Sequence, residues 1–195
     1  MQIIVVQAHP LGTSLCASLA QRCVTRLRAA GHDVYLRDLY GEGFDPVLSA
    51  QERAGYYTRD FEDRAGLREA EALILVFPTW WFGLPAILKG WIDRSFLPGV
   101  AYDHADDLSA LRPRLDRLRH VICITTLGSP AWIDWLVLRR PVARALKWGL
   151  VKACAPGARY AHLSLYRAER VAPDRLTRFE ARIDKILTTH LGDKS

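Results

Sequence analysis

The chain has 195 residues, of which half are apolar and a quarter charged, and its formal net charge is +6. This balance is typical of a globular protein and excludes long disorder, collagen and a disulfide-dense mini-protein. The length fits one domain, which we expect to span residues 1–195. The modest positive charge suits an anionic ligand such as a nucleotide, but it is too diffuse to indicate nucleic acid.

The first half of the chain alternates predicted strands and helices. An apolar run at Ile3–Val6 predicts a strand buried on both faces. Apolar residues then recur every four positions from Leu15 to Leu27, which predicts a helix that Thr13 or Ser14 caps and Gly31 ends. The further predicted elements are a strand at Asp33–Arg37, a partly helical stretch at 51–71, a strand at Leu73–Phe77 and a helix from Ile87 to Phe96.

The second half continues the alternation after a polar, irregular stretch at 102–119. A strand is predicted at Val121–Thr125, and an edge strand at Ala161–Tyr166, where apolar and polar residues alternate. Between them, residues 132–154 look helical, with Pro141 breaking or kinking the helix. A last helix starts at Pro173. The order βαβαβαβαβα predicts an α/β fold, a doubly wound five-stranded parallel sheet with helices on both faces.

Four cysteines and the hydropathy pattern bear on location. Cys16, Cys23, Cys123 and Cys154 form no CxxC pair and fall mostly in predicted helices and strands, which predicts buried free thiols and a reducing cytoplasm. No signal peptide is recognised, because the apolar start is short and lacks a basic region. The longest uncharged run, at 72–88, contains prolines and is shorter than the ~20 residues of a spanning helix, so we expect no transmembrane segment.

In an open parallel sheet, ligands bind beyond the carboxyl ends of the strands. Three loops follow strands there: His9–Ser14, Pro78–Pro85 and Thr125–Pro130. The first opens a helix, and its free backbone N–H groups, with two hydroxyls and an imidazole, suit a phosphate. The alternative is that Thr13 and Ser14 are ordinary helix caps. Neither a G-x-G-x-x-G nor a P-loop motif occurs, which argues against a Rossmann NAD site and an NTPase.

The other two loops suit a planar group and the carbonyl groups of a ligand. Three consecutive aromatic residues, Trp80, Trp81 and Phe82, follow a strand where solvent is expected, and at least one should face a cleft and contact a planar group. The alternative is packing against a neighbouring helix or a dimer partner. In the third loop, hydroxyl residues and Gly128 let backbone N–H groups approach the carbonyls of a ligand.

The sequence gives little support for a nucleophile, a metal site, or a membrane or nucleic-acid partner. There is no G-x-S-x-G nucleophile motif, and the six histidines show no spacing typical of metal ligands. The acidic residues Asp103, Asp106 and Asp107 with His104 could hold a cation, although a solvated loop is the simpler interpretation. The Arg- and Trp-rich stretches at 112–119 and 132–148 lack the continuous amphipathic pattern of a membrane-binding or nucleic-acid-binding segment. We therefore predict neither a metal site nor a nucleic-acid partner.

The stretch P-T-W-W-F-G-L-P-A-I-L-K-G-W-I-D-R at 78–94, followed by G-V-A-Y at 99–102, resembles the signature of the NAD(P)H:quinone oxidoreductases. These are flavodoxin-like flavoproteins, DT-diaphorase and its shorter bacterial relatives. The segments A-H-P at 8–10 with Thr13 and Ser14, and T-T-L-G-S at 125–129, resemble the first and third cofactor loops of the same family. The chain differs from common family patterns at Cys16, where relatives often have Asn, and at Leu127, where they often have Gly.

The resemblance implies a bound flavin, FAD rather than the alternative FMN. It places the phosphates and ribityl chain at His9, Thr13, Ser14, Leu15 and Cys16. It places the isoalloxazine beside Pro78, Thr79, Trp80, Trp81 and Phe82, and its pyrimidine edge beside Thr125, Thr126, Leu127 and Gly128.

The function that the resemblance implies is a two-electron, ping-pong hydride transfer from NAD(P)H to a quinone-like acceptor. The Arg-rich loops of the sequence slightly favour NADPH over NADH as the donor. No side-chain acid or base is assigned. The alternative is a flavin-binding ancillary subunit of a potassium efflux system, as some relatives are. A homodimer is expected, because Trp91, Phe96 and the segment Trp132–Trp148 offer more aromatic surface than one helical layer buries.

Overall fold

A five-stranded parallel sheet forms the centre of the protein. The structure, a computed structural model, describes residues 1–57, 61–105 and 110–192. Its strands are β1 (Gln2–Gln7), β2 (Asp33–Asp38), β3 (Ala72–Pro78), β4 (Tyr102–His104), β5 (Leu111–Pro113), β6 (His120–Leu127) and β7 (Arg159–Tyr166). The sheet order is β2-β1-β3-β6-β7, with every pair parallel. The predicted doubly wound sheet is confirmed, and its strand order reverses between β1 and β3.

Helices cover both faces of the sheet. The α-helices are α1 (Leu15–Ala29), α2 (Ala50–Ala54), α3 (Ala86–Ser95), α4 (Pro141–Arg144), α5 (Lys152–Cys154) and α6 (Pro173–Leu191). Two π-helical segments, Ile133–Val137 and Ala145–Val151, and a short 3₁₀ helix, Ala168–Arg170, complete the description. Within the described ranges, no helix combines the length and apolarity needed to cross a bilayer.

The two faces of the sheet carry separate apolar cores. α1 and α6 pack on one face, in the core that contains Cys16 and Cys23. α3 and the segments around α4 and α5 pack on the other, in the core that contains Cys123 and Cys154. Because β3 and β6 are buried along their whole length, apolar side chains line both of their faces. All four thiols are free and buried, as the sequence predicts.

The structure confirms one local prediction and corrects others. The stretch at 51–71 is helical in part, as predicted: among its described residues the α-helix is α2, which a Ser49–Glu52 capping box starts. The stretch at 102–119, predicted to be irregular, contains the antiparallel hairpin of β4 and β5. Trp91 is only 1% exposed and packs edge-on against buried Phe96, with ring centroids 6.1 Å apart. These two rings fill the core of their own chain, so they do not supply the interface surface expected of them.

The predicted break in the helical segment 132–154 is confirmed. Arg139 and Arg140 have φ angles of 54° and 55°, in the left-handed region, and Pro141 occupies the first turn of α4. Trp132, Trp135 and Trp148 in this segment are exposed. Its aromatic surface therefore faces outward, unlike that of α3.

Candidate functional site

Main-chain and side-chain hydrogen bonds bring the three predicted loops together at the carboxyl edge of the sheet. The Ala8 N–H donates to the Val76 carbonyl (3.0 Å), which joins the end of β1 to β3. The Thr79 N–H donates to the Thr126 carbonyl (2.8 Å), which joins the end of β3 to β6. The residues at 9–16, 78–82 and 125–128 therefore meet at one edge, next to the point where the strand order reverses.

The first segment ends at the N-terminus of α1. Ser14 caps this helix, because its Oγ accepts a hydrogen bond from the Ala17 N–H at 3.2 Å. His9 shapes the turn before it by accepting the Leu11 N–H on Nδ1 (3.0 Å). The N–H groups of Leu15 and Cys16, in the first turn, have no intrahelical acceptor. A phosphate group fits this position, because the donors and the positive end of the helix dipole point the same way.

Cys16 contributes to this site through its backbone only. Its side chain is 2% exposed, and its Sγ lies 3.5 Å from the Thr126 Oγ1. Burial raises the pKa of this thiol above its ordinary value, so it stays protonated. The contact fastens the start of α1 to the end of β6.

The second segment forms a strained turn. The Gly83 N–H donates to the Trp80 carbonyl (2.9 Å), and the two residues between, Trp81 and Phe82, have φ angles of 50° and 54°. This is the geometry of a type I′ turn, in which Asn and Gly are the usual central residues. Two aromatic residues in the left-handed region cost free energy, and strain of this kind concentrates at functional sites.

The strained turn presents aromatic surface to solvent. The Trp81 side chain is 99% exposed, and that of Trp80 is 43% exposed. The Trp80 ring lies against His9 of the first segment, with ring centroids 6.2 Å apart and planes inclined at 59°. The Trp80 indole therefore stands beside the phosphate-type site at the start of α1, where a planar group attached to a phosphate can contact it.

The third segment differs from the predicted loop. Thr125, Thr126 and Leu127 belong to β6 and are buried. The hydroxyl groups of Thr125 and Thr79 are hydrogen-bonded at 2.5 Å. The backbone becomes exposed only at Gly128, where an added Cβ would lie 3.1 Å from the Glu169 Oε1. The Thr125 side chain therefore holds the second and third segments together, the Thr126 side chain contacts the first segment, and Gly128 provides the accessible backbone.

Sequence reasoning missed Glu169. This exposed carboxylate lies just after β7, in the 3₁₀ helix beside Gly128. Its position after a parallel strand was the available signal, since that edge of the sheet is where ligands bind. Among the described residues, no group of three or more His, Cys, Asp or Glu side chains is placed to hold a metal ion. Asp106 and Asp107 of the acidic stretch lie outside the described residues.

Comparison with known proteins identifies relatives for most of the chain. Residues 1–150 match a family described as having a flavodoxin-like fold. NAD(P)H dehydrogenase [quinone] 1 of Cavia porcellus is 30% identical over 148 residues, which cover 65% of this chain and 53% of that protein. The chain spans about half the length of the curated relatives it matches.

Solved structures share the fold along nearly the whole chain. Smu.1420 from Streptococcus mutans UA159 is 30% identical with a TM-score of 0.82, over 97% of this chain and 100% of its own. An FMN-dependent NADH-azoreductase from Bacillus anthracis, solved in complex with FMN, gives a TM-score of 0.72 over 96% of this chain and 98% of its own. At 15% identity, the second likeness shows the fold alone.

Proposed function

Because the chain belongs to the flavodoxin-like family of the NAD(P)H:quinone oxidoreductases, we propose that it is a flavin-dependent oxidoreductase that transfers hydride from NAD(P)H to quinones or similar acceptors. The observation that carries the proposal is the strained turn Trp80–Gly83, which presents aromatic rings beside the N-terminus of α1. Backbone N–H groups that can bind a phosphate lie there next to an exposed aromatic surface, and a flavin nucleotide needs both.

The residues present fit a flavin at this edge. The backbone N–H groups of Leu15 and Cys16 would hold its phosphate, with the hydroxyl of exposed Thr13 within the same turn. Trp80 and Trp81 would border the ring system. Gly128, with no side chain, would leave the backbone free to approach the polar edge of the ring. When bound, a flavin supplies the acceptance and delivery of two electrons as hydride.

The chain's own residues would contribute positioning rather than proton transfer. The hydrogen bonds of Thr79 with Thr125 and the contact of Cys16 with Thr126 fix the three segments relative to one another before any ligand arrives. The backbone N–H of Gly128, exposed at the end of β6, would favour negative charge on the ring edge without reorganising during the reaction. No carboxylate or imidazole is required for these roles, and we assign no side-chain acid or base.

The finer assignments extend the same proposal. We propose FAD as the flavin, with FMN as the alternative, and NADPH before NADH as the donor. We also propose a homodimer, supported by the exposed side chains of Trp132, Leu136 and Trp148 on one segment. A cytoplasmic location is supported by the four free thiols. Light scattering tests the dimer, since an active protein with the 22.0 kDa mass of one chain would contradict it.

Purification and turnover test the proposal directly. The purified protein, or the protein loaded with FAD or FMN, should be yellow and should oxidise NAD(P)H with a quinone. The mass of the flavin released on denaturation distinguishes FAD from FMN. A hundredfold excess of the correct flavin over its Kd should stabilise the fold by about 2.7 kcal/mol. Failure of both flavins to raise Tm would refute the proposal, and a flavin-loaded protein without turnover would favour the ancillary-subunit alternative.

A further inference from the structure

A cavity lies at the β7 edge of the sheet, beside α6. Its volume is about 710 Å³, within the size range of small-molecule sites. It borders β7, the last strand in the sheet order, whose outer edge pairs with no strand in the described part of the chain. Its walls come from β7, α6 and the segment around Arg140, none of which the proposed flavin site uses.

Arginines dominate this cavity. Arg175, Arg178 and Arg182 follow one another at spacings of three and four residues, so they share one face of α6. Arg140 faces them from the other wall. The face of α6 that binds α1 is a different one, since Arg22 pairs with Asp184 at 2.8 Å. The cavity therefore concentrates positive charge away from the contact between the two helices.

Most of this charge is not neutralised by the protein. Arg178 pairs with Asp174 at 2.6 Å, and Arg175 donates to the backbone carbonyl of Tyr166 at 3.1 Å. Arg140 and Arg182 have no carboxylate within ion-pair distance among the described residues. Since only one of the four guanidinium groups has an acidic partner, an anion entering the cavity meets a net positive field.

Two buried polar atoms in the cavity walls also have no protein partner. The Ser164 Oγ and the Arg140 Nε are both buried without a hydrogen bond in the described structure. Buried polar groups are nearly always hydrogen-bonded, so two unsatisfied atoms in one cavity indicate a missing partner. An oxyanion accepts from both, because a hydroxyl and a guanidinium N–H are donors.

The backbone that places Arg140 is strained. Arg139 and Arg140 both adopt left-handed φ angles, a conformation that non-glycine residues rarely share in sequence. The Arg140 guanidinium stacks on Trp135, 4.3 Å from the ring centroid, which fixes its direction. On β7, His162 lies beside it, and burial and the charge of Arg140 lower the pKa of His162 to about 4. The imidazole is therefore neutral near pH 7, and the arginines supply the charge.

We propose that this cavity is a second ligand site, which binds a phosphoryl group through Arg140, Arg175 and Arg182 with the Ser164 hydroxyl. Several guanidinium groups converging from two walls suit the multiple oxygens of a phosphate, which accepts hydrogen bonds over a wide range of directions. The phosphoryl group can belong to free phosphate or to a nucleotide. The site lies outside the flavin proposal and does not depend on it.

Calorimetric titration of the full chain, saturated with FAD, tests this site with two probes, inorganic phosphate and AMP. We expect one equivalent of at least one probe to bind, and Arg182→Gln to raise its Kd at least tenfold. Arg159→Gln is the matched control, because it removes the same charge from β7 outside the cavity and should change Kd less than twofold. Preference for AMP over phosphate identifies a nucleotide as the source of the phosphoryl group, and equal affinity identifies phosphate alone.

Two further measurements serve as controls, one for the flavin site and one for folding. Ser14→Asp, which repels a phosphate at α1 and so closes that site without a flavin, should bind the probe with a Kd within twofold of that of the flavin-saturated parent. Circular dichroism and Tm of the Arg182→Gln variant confirm that it folds. The proposal is overturned if neither probe binds saturably below 10 mM (on the order of the weakest specific affinities), if Arg159→Gln weakens binding as much as Arg182→Gln, or if Ser14→Asp abolishes it.

Discussion

The strained turn allows a prediction in which stability and ligand binding change in opposite directions. Trp81 stands at the first central position of the type I′ turn with a φ of 50°. A non-glycine residue in the left-handed region costs roughly 1 kcal/mol, and Asn is favoured there because its short polar side chain tolerates the conformation. The Trp81 side chain is 99% exposed, so its replacement sacrifices almost no apolar burial. Trp81→Asn should therefore stabilise the flavin-free protein.

The expected gain is about 1 kcal/mol, which corresponds to a rise in Tm of about 3 °C for a chain of this size. Thermal unfolding of the flavin-free protein, followed by circular dichroism, measures it. Val47→Asn is the control, because Val47 is also exposed, at 66%, but lies outside the proposed dimer surface and has no positive φ. This control should change the free energy of unfolding by no more than about 0.5 kcal/mol in either direction.

The same substitution should impair ligand binding. Loss of the indole removes planar surface beside the α1 N-terminus, so Trp81→Asn should weaken flavin retention or raise the quinone KM several-fold. An unchanged or lower Tm would refute the argument from backbone strain. A higher Tm with unchanged flavin affinity and kinetics would show that Trp81 lies outside the ligand site.

Three further substitutions test separate parts of the structure. Ser14→Asp should preserve the cap of α1, since Asp caps a helix as well as Ser does, but charge repulsion should raise the flavin Kd about 100-fold or more. Equilibrium dialysis measures this Kd. A variant that retains the wild-type flavin content would show that the phosphate binds elsewhere. Gly90→Ala should destabilise by more than about 3 kcal/mol in urea unfolding, because its Cβ would lie 2.2 Å from the Pro46 carbonyl oxygen, whereas Gly149→Ala, with no atom within 4 Å, should not. In the folded protein the pKa of His162 is about 4, against an ordinary value of 6.5. As the pH falls from 6.5 toward 4, the imidazole therefore takes up a proton in the unfolded state but not in the folded state. The free energy of unfolding should decrease over this range by up to about 3 kcal/mol. His162→Gln should make this acid slope shallower, and an unchanged slope would mean that the imidazole is not buried as a neutral group.

The sheet was predictable because its signal is local. β3 is apolar along its whole length, and β1 and β6 each have an apolar centre, at 3–6 and 121–124, as a strand buried on both faces needs. The periodicity of α1 and its Ser14 cap are equally local. The hairpin of β4 and β5 was missed because its residues are half-buried or exposed and carry no apolar alternation.

The candidate site was predictable in position but not in conformation. The rule that ligands bind at the carboxyl ends of parallel strands located all three segments. The contact of Cys16 with Thr126 joins residues 110 positions apart, and no local pattern predicts it. The left-handed turn at Trp81 and Phe82 lacks the glycine or asparagine that would signal it. Trp91 was assigned to an interface because sequence alone does not reveal how deep the layer beneath α3 is.

The positions of the four cysteines allow local opening of the structure to be followed by thiol labelling. Burial raises the pKa of Cys23 and of Cys123 to about 12 and that of Cys154 to about 11, so the folded chain holds almost no reactive thiolate at neutral pH. Two thiols lie in each core, one pair on either face of the sheet. Alkylation followed by mass spectrometry therefore reads the two faces separately, without introducing a probe. The order in which the pairs become labelled reveals which layer of helices detaches first.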